Sequence, residues 1–211
     1  MEIMSPVGSY ESLMAAIQGG ADSVYFGVGK LNMRSRSANN FTLEDLVKIA
    51  SIARENGVRT YLTVNTIIYN EEIEEMKLTV RTAKEAGISA IIASDMAVIS
   101  YANSIGMEIH ISTQCNISNV EAVRYYAQFA DVMVTARELP LSQVAEITRF
   151  IKDNDIRGPK GNLVEIEVFG HGALCMSVSG KCYLSLDNYN YSANRGACLQ
   201  LCRRQYQVKD L

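Results

Sequence analysis

Short runs rich in β-branched and aromatic residues alternate with amphipathic stretches along most of this chain. The predicted strands are residues 2–4, 23–26, 59–65, 89–93, 108–112, 131–135 and 165–169. Between them lie helical patterns such as LEDLVKIASIARENG, in which apolar side chains recur at helical spacing at Leu43, Leu46, Val47, Ile49 and Ala50. Serial strand–helix units imply parallel strands joined by right-handed crossovers.

An α/β fold of the TIM type, a (β/α) barrel, is the simplest closure of such a series, and we predict it for residues 1–170. A doubly wound open sheet is the rival, but Asn32 stands where the third glycine of its phosphate-binding fingerprint should follow Gly27 and Gly29. Residues 171–211, here called the cysteine-rich segment, should continue the same domain. QYQV near the end resembles the start of an eighth strand, so we expect the N-terminal part of a longer protein.

Composition narrows the class of protein. Hydrophobic residues make up 48% and charged residues 20% of the 211 residues, as in an ordinary soluble globular protein. The sequence begins without a secretory leader and holds no apolar stretch of membrane-span length, which predicts a cytoplasmic protein with no membrane partner. A net charge of −3 argues against a protein that coats nucleic acid.

Charge is unevenly distributed, however. Residues 181–211 contain five basic and two acidic side chains, a net charge of +3, and the rest of the chain therefore totals −6. Tyr183, Tyr189, Tyr191 and Tyr206 lie among these cations. Such a mixture can hold and stack nucleotides, although a solvated surface stretch would have the same composition.

The loops after the predicted strands are rich in hydrogen-bonding side chains. In a barrel these loops form the catalytic face. The residues are Ser5, Gly8, Arg34, Arg36, Asn65, Ser94, Asp95, Thr113, Gln114, Asn116, Arg137, Glu138 and His171. The planar fork of arginine suits carboxylates and phosphates, so an anionic small molecule or an RNA backbone is a plausible ligand.

Four of the five cysteines fall in the cysteine-rich segment, at positions 175, 182, 198 and 202. This spacing lacks the paired knuckles of structural zinc but suits an iron–sulfur cluster, and Gly172, Gly180 and Gly196 would leave room around the sulfurs. Buried structural thiols and a catalytic thiol remain alternatives. Cys115 stands apart and should be a packed thiol.

His171 lies four residues before Cys175, which suggests a Cys–His nucleophile as an alternative chemistry. The other histidine, His110, falls within a predicted strand, where a structural role is expected. The motifs of serine and zinc peptidases, G-x-S-x-G and H-E-x-x-H, are absent from the sequence.

The stretch EVFGHGALCMSVSGKCYLS, followed by SANRGACLQLCR, resembles the signature of the peptidase U32 family. RELPLSQV, LNMRSRSANNF and MSPVGSYESLMAAIQGGADSVYFG are also similar to family segments. The resemblance implies an oxygen-independent hydroxylase with a [4Fe–4S] cluster, acting on a base in RNA with prephenate as co-substrate. It points most closely to formation of 5-hydroxyuridine at the tRNA wobble position, with an rRNA cytidine close behind. The family name itself implies the alternative, a collagenase-like peptidase.

Residue by residue, the resemblance implies cluster ligands at Cys175, Cys182 and Cys198, with the fourth at Cys202 or in a longer protein. Arg34 and Arg36 match a basic family segment and are candidate contacts for carboxylates or phosphates. Further candidate substrate contacts are Asn65, Gln114, Arg137 and Glu138, and the last two could also form an internal salt bridge. His171 is a candidate catalytic residue. A partner subunit, and a non-enzymatic module that only presents RNA, are further possibilities.

Overall fold

The structure, a computed structural model, describes residues 1–33, 35, 41–172 and 175–207. Strands and helices alternate along these residues. In chain order they are β1 Met4–Pro6, α1 Tyr10–Gln18, β2 Ser23–Gly27, α2 Asp45–Glu55, β3 Arg59–Val64, α3 Ile73–Ala86, β4 Ala90–Ala93, α4 Met96–Ser104, β5 Ile109–Ile111, α5 Val120–Tyr126, β6 Val132–Val134, α6 Leu141–Asp153, β7 Glu165–Glu167 and α7 Leu184–Tyr189. Short 3-10 turns lie at Asn70–Glu72, Thr113–Cys115, Ala193–Arg195 and Leu201–Arg203.

The strands pair in sequence order from β1 to β7, and every pair is parallel. A doubly wound sheet would reverse its order at a switch point, so that rival is excluded. The sheet also curls, and this brings Glu167, at the end of β7, close enough to Glu2, before β1, for the two carboxylates to repel. The predicted TIM-like architecture is therefore confirmed. Residues 205–207 of QYQV are not in a strand.

All seven predicted strands overlap observed ones, and the largest shift is at β1. Prediction began that strand at residue 2, whereas pairing begins at Met4. The reason is Asp22, whose carboxylate accepts from the Ile3 N–H (2.7 Å) and replaces a strand partner there. In α2 the predicted core residues Leu46 and Ile49 are buried, but Val47 is 63% exposed because it lies one position around the helix from the buried face.

The hydrophobic core lies mainly between the sheet and its covering helices. Leu13, Leu46, Leu62 and Ile91 are fully buried there. A smaller cluster fills the concave face, where Tyr61, Ala90 and Ile92 pack together. Within the residues that the structure describes, no helix has the length and apolar character that crossing a membrane requires.

Polar side chains occupy the rest of the concave interior. His110 on β5 is 3% exposed, its ring centroid lies 4.5 Å from that of Tyr61, and its Nε2 lies 3.5 Å from Glu108 Oε1. The expected structural role of His110 fits this position. The Tyr61 hydroxyl donates to Glu2 Oε1 at 2.7 Å. The interior is thus a network of ionisable groups rather than a purely apolar plug.

Glu167 should make stability depend on pH. Burial raises the pKa of its carboxyl from 4.5 to about 7; nearby His110 opposes the rise and Glu2 adds to it. The folded protein therefore holds this proton more tightly than the unfolded chain, and stability is lost as pH rises between these two values. We expect Glu167→Gln to raise the free energy of unfolding by about 1–3 kcal/mol at pH 8 and hardly at all at pH 4.5. Urea unfolding at both pH values measures this.

Glu165→Gln is the matched control for this prediction, because Glu165 lies on the same strand but is exposed. Its unfolding free energy should follow that of the unmodified protein at both pH values. Equal pH profiles for the two variants would contradict the assignment of the raised pKa to Glu167.

Candidate functional site at the carboxyl end of the barrel

The cysteine-rich segment lies against the loops that follow the barrel strands, and an ion pair anchors it there. Arg195 forks onto Glu72, with Nη1 donating to Oε2 at 2.7 Å and Nη2 donating to Oε1. The Nη1 group also donates to the Ile67 carbonyl at 2.8 Å, and the guanidinium lies 4.3 Å from the Tyr69 ring centroid. Glu72 is only 5% exposed, and the Arg195 hydrogen bonds hold the pKa of its carboxyl at about 2.

Two glycines allow the segment to approach the barrel closely. A Cβ added at Gly180 would lie 3.1 Å from the Gln114 carbonyl oxygen, and one at Gly196 would overlap Ser35 Oγ and the Asn32 carbonyl. Both glycines also have positive φ. The atoms that these two glycines accommodate belong to barrel loops, which is a reason for glycine that the sequence did not indicate. That they also leave room around the sulfurs stays a prediction. A Cβ at Gly172 would meet no described atom.

Asn65 and Gln114, two of the predicted substrate contacts, meet at the barrel mouth. Asn65, directly after β3, is 8% exposed and donates through Nδ2 to Gln114 Oε1 at 3.4 Å and to Ser112 Oγ at 3.3 Å. Its Oδ1 accepts from the Met33 N–H at 3.1 Å. The carboxyl ends of β3 and β5 therefore place a connected set of amide and hydroxyl groups at the catalytic face expected of a barrel.

Arg137, in the loop after β6, donates hydrogen bonds to the cysteine-rich segment. Its Nη2 donates to the Ser177 carbonyl at 3.3 Å and to Ser179 Oγ. Asn116 adds a bond from Nδ2 to the Ser179 carbonyl at 2.6 Å. Glu138 is exposed, so the expected internal salt bridge between Arg137 and Glu138 was wrong: the backbone turns Glu138 outward to solvent.

The thiols of the cysteine-rich segment are mostly open to solvent. Cys175, Cys198 and Cys202 are exposed and Cys182 is partly buried, and all are free thiols. Cysteine is among the most buried residue types, so the alternative of buried structural thiols was wrong for the three exposed ones. Cys115 differs, since it packs against the core and its Sγ lies 3.6 Å from the Ser94 carbonyl oxygen. Burial raises the pKa of the Cys115 thiol, which confirms a packed thiol.

Two of these sulfurs receive a hydrogen bond from the backbone two residues later in the chain. The Gln200 N–H donates to Cys198 Sγ at 3.4 Å, and the Ser177 N–H donates to Cys175. Partial burial of Cys175 works against ionisation, but the bonds from Ser177 and Arg137 outweigh it and lower the pKa of the thiol. N–H···S bonds of this kind stabilise thiolates and are typical of sulfur ligands to iron.

The alternative interpretation, a Cys–His nucleophile, finds no geometric support. His171 is exposed, and the groups that act on the Cys175 thiol are Ser177, Arg137 and Arg203 rather than His171. The predicted anion contacts Arg34 and Arg36 lie outside the described residues.

The chemistry of the segment fits an iron–sulfur cluster, because such a cluster binds four thiolates and two of the four thiols here accept N–H···S bonds. The thiols are not, however, arranged as a metal site in this structure. Across residues 1–33, 35, 41–172 and 175–207, no three His, Cys, Asp or Glu side chains come together closely enough to hold a metal ion.

Sequence reasoning missed several residues of this site. Glu72 was not singled out, and Arg195 was counted only as part of a basic stretch. Asn194 and Ser179 were also missed, although both are buried at the contact between segment and barrel, at 6% and 7% exposure. The signal available was local: Asn194 and Arg195 directly precede Gly196 in the SANRGAC stretch that carries the family resemblance.

Comparisons with known proteins agree with this picture. The chain is 66% identical to a collagenase of Porphyromonas gingivalis, over 99% of this chain and 50% of that protein. It is 31% identical to tRNA hydroxylation protein P1 of Bacillus subtilis, over 98% and 47%, and 33% identical to a 23S rRNA 5-hydroxycytidine synthase of Escherichia coli, over 100% and 30%. The chain thus spans about half the length, or less, of these curated relatives.

A solved structure of a U32 peptidase has the same fold. It superposes with a TM-score of 0.61 at 10% identity, over 83% of this chain and 95% of that one. The family model of Peptidase family U32 matches residues 8–211, which include strands β2 to β7 and the whole cysteine-rich segment but not β1. The chain therefore belongs to peptidase family U32.

Proposed function

We propose that this chain carries the cluster-binding site of an enzyme that hydroxylates a base in RNA. Cys175, Cys182 and Cys198 hold a [4Fe–4S] cluster, with Cys202 as the fourth ligand. The observation that carries the proposal is the set of four free thiols, three of them exposed and two with N–H···S bonds, on a segment fixed to the mouth of the barrel. The names of the tRNA- and rRNA-modifying relatives add support.

Within this proposal the preferred reaction is conversion of the tRNA wobble uridine to 5-hydroxyuridine, without molecular oxygen and with prephenate as co-substrate. A hydroxylated cytidine in rRNA is the second candidate product. The sequence identity to the rRNA-modifying relative, 33%, is close to the 31% identity to the tRNA-modifying relative. Bound at the thiolates, the cluster supplies redox or Lewis-acid chemistry that protein side chains lack. An RNA substrate also implies that the enzyme works in the cytoplasm. The proposal includes a partner subunit that acts together with this chain.

The residues of this chain have distinct tasks in such a reaction. Arg137 positions the backbone of the Cys175–Ser179 stretch, and Arg195 fixes the Cys198 region to the barrel. The amide groups of Asn65 and Gln114 provide neutral hydrogen bonds at the barrel mouth. Fixed groups of this kind bind and orient a substrate without having to reorganise.

The surface of the cysteine-rich segment suits an RNA chain. The rings of Tyr183, Tyr189 and Tyr206 are exposed by half or more, and the Arg204 guanidinium lies 5.9 Å from the Tyr189 ring centroid. Arg203 is exposed beside it. Aromatic rings and cations that alternate on one surface stack bases and neutralise phosphates.

Substitution of Cys175 tests the proposal. In cells that lack the gene, the complete protein with Cys175→Ser should fail to restore the hydroxylated nucleoside, because a serine hydroxyl does not replace a thiolate at iron. Nucleoside mass analysis of tRNA and rRNA measures this loss and identifies the modified base. Iron and sulfide content after anaerobic purification, which should fall in the same variant, provides a readout independent of activity.

Cys115→Ser is the matched control, since Cys115 is packed against the core and is not one of the proposed ligands. It should retain both iron and modification. Unmodified protein that holds no iron under anaerobic conditions would contradict the cluster, and RNA that is unchanged by loss of the gene would contradict the hydroxylase.

Peptide hydrolysis is the second candidate function, favoured by the 66% identity to a protein named collagenase. Cys175 would be the nucleophile, but its neighbours are Arg137 and backbone groups rather than a histidine base. Hydrolysis of collagen-like peptides by the purified protein, abolished in Cys175→Ala, would favour this function over the hydroxylase. An RNA-presenting module without catalysis would instead bind RNA equally well with and without the cysteines.

A further inference from the structure

A small cleft lies between the barrel mouth and the cysteine-rich segment. Its volume is about 140 Å³. The residues that line it are Asn65, Ile67, Ser94, Asp95, Gln114, Gly180 and Asn194. A protein cavity of roughly 150 Å³ accepts a benzene molecule, so this cleft has room for one six-membered ring. Gly180 lies two residues before Cys182, which places the cleft beside the proposed cluster ligands in the chain.

The orientation of Gln114 follows from a chain of hydrogen bonds. The Met33 N–H can only donate, so the Asn65 atom that it meets is Oδ1 and the opposite atom is the donor Nδ2. That Nδ2 faces Gln114, so the Gln114 atom that it meets is the acceptor Oε1, which also accepts from Ser112 Oγ. The Nε2 group of Gln114 is left without a partner among the described residues, as a free donor at the cleft.

Asn194 contributes a second free amide. Its side chain is 6% exposed and lines the cleft, yet neither Oδ1 nor Nδ2 bonds to any residue that the structure describes. Only its backbone carbonyl is engaged, by the Ile67 N–H at 3.5 Å. Both polar atoms are reached by solvent from the cleft, so a ligand bound there would take the place of water at a donor and an acceptor that the fold leaves open.

The lining favours a neutral ligand. Among the described residues around the cleft the only charged side chain is Asp95, and its two oxygens already accept from the Ala97 N–H (2.8 Å) and the Ile68 N–H (3.0 Å). A carboxylate such as those of prephenate would meet this negative charge without a compensating cation. Ile67, 43% exposed, offers an apolar wall for the face of a ring.

We propose that this cleft is the pocket for the target base of the RNA, a pyrimidine turned out of its stack. Gln114 Nε2 donates to a ring carbonyl, and the Asn194 amide pairs with the adjacent donor and acceptor on the same edge. Enzymes that act on a base commonly extrude it into such a pocket and recognise its Watson–Crick edge. The proposal rests on the proposed function, and it extends that function by naming the residues that bind the base.

A peptide backbone also offers paired donors and acceptors to such a cleft, but the charge and aromatic residues of the cysteine-rich segment favour RNA. The cysteine-rich segment has a net charge of +3 between residues 181 and 211, and Tyr69 stacks on Arg195 at the edge of the β3–α3 loop. A phosphate chain bound along this segment would gain from its net positive charge, whereas a neutral peptide would gain little.

The sharpest variants are Gln114→Glu and Asn194→Asp. Each keeps the side-chain shape and one acceptor oxygen, so the bonds of Gln114 to Asn65 and Ser112 survive while the donor facing the cleft is removed. The complete protein carrying either change is returned to cells that lack the gene. We expect the hydroxylated pyrimidine in RNA to fall roughly tenfold or more, with iron and sulfide content unchanged.

Gln128→Ala and Asn162→Ala are matched controls, because both amides are exposed in loops that lead into β6 and β7 at the opposite end of the barrel. They should leave the modification as it is in the unmodified protein. Full modification by Gln114→Glu and Asn194→Asp would overturn the base pocket alone, as would a loss of modification that is matched by an equal loss of iron. RNA that does not depend on the gene at all would overturn both proposals.

Discussion

Replacing Glu72 by glutamine is expected to lower the free energy of unfolding by about 2–4 kcal/mol and to release the cysteine-rich segment from the barrel. Glu72 is buried and accepts two bonds from Arg195, so the substitution leaves a guanidinium facing a neutral amide. The Arg195 side chain is 27% exposed, so water partly compensates it, and the expected loss stays below that of a fully buried pair. Urea unfolding measures the loss, and limited proteolysis locates it.

The matched control is Glu75→Gln, in the first turn of α3 and three residues after Glu72. Glu75 pairs with Lys30 at 2.9 Å, but both side chains are largely exposed, so we expect a change of less than about 1 kcal/mol. The contribution of Glu72 should also depend on pH. Because its pKa is about 2 in the folded protein against 4.5 in the unfolded chain, the stabilisation is present above pH 4.5 and is lost as pH falls toward 2. Equal losses in the two variants would contradict an anchoring role for Glu72.

Local patterns were enough to predict the barrel. Strand and helix periodicities depend on neighbours a few residues apart, and seven units in series leave few topologies other than a parallel barrel. The same reasoning brought Asn65 and Gln114 together correctly, since the carboxyl ends of parallel strands share one end of a barrel. Misplaced details, such as Val47 and the start of β1, depended on side-chain contacts that periodicity does not describe.

Long-range pairings could not be predicted in this way. Glu72 and Arg195 are 123 positions apart, and neither residue has a local pattern that announces the other. Gly180 and Gly196 looked like companions of the neighbouring cysteines, yet the atoms that require a glycine belong to Gln114, Ser35 and Asn32. Whether the Asn194 amide finds a hydrogen-bond partner depends on which side chains the fold brings around it, and local sequence patterns do not contain that information.

Gly196→Ala should have the second large effect, a loss of about 3 kcal/mol of unfolding free energy together with a fall in iron content. The added Cβ would overlap Ser35 Oγ and the Asn32 carbonyl, where the backbone oxygen has little freedom to move, and overpacking of this kind costs about 1–3 kcal/mol. The φ of +79° adds about 1 kcal/mol for any residue with a Cβ. Cys198 lies two residues further on, so displacement of Gly196 should also displace a proposed ligand.

Gly161→Ala separates the two contributions, because Gly161 has the same φ of +79° but no atom within 4 Å of an added Cβ. That variant should lose only the backbone contribution, about 1 kcal/mol, and should keep its iron. Thermal or urea unfolding and iron analysis of both proteins provide the comparison. If Gly196→Ala loses no more stability than Gly161→Ala, the close approach of the segment to the barrel is wrong. If it loses stability but keeps all its iron, then Cys198 holds its position independently of Gly196, and contact with the barrel does not set the ligand geometry.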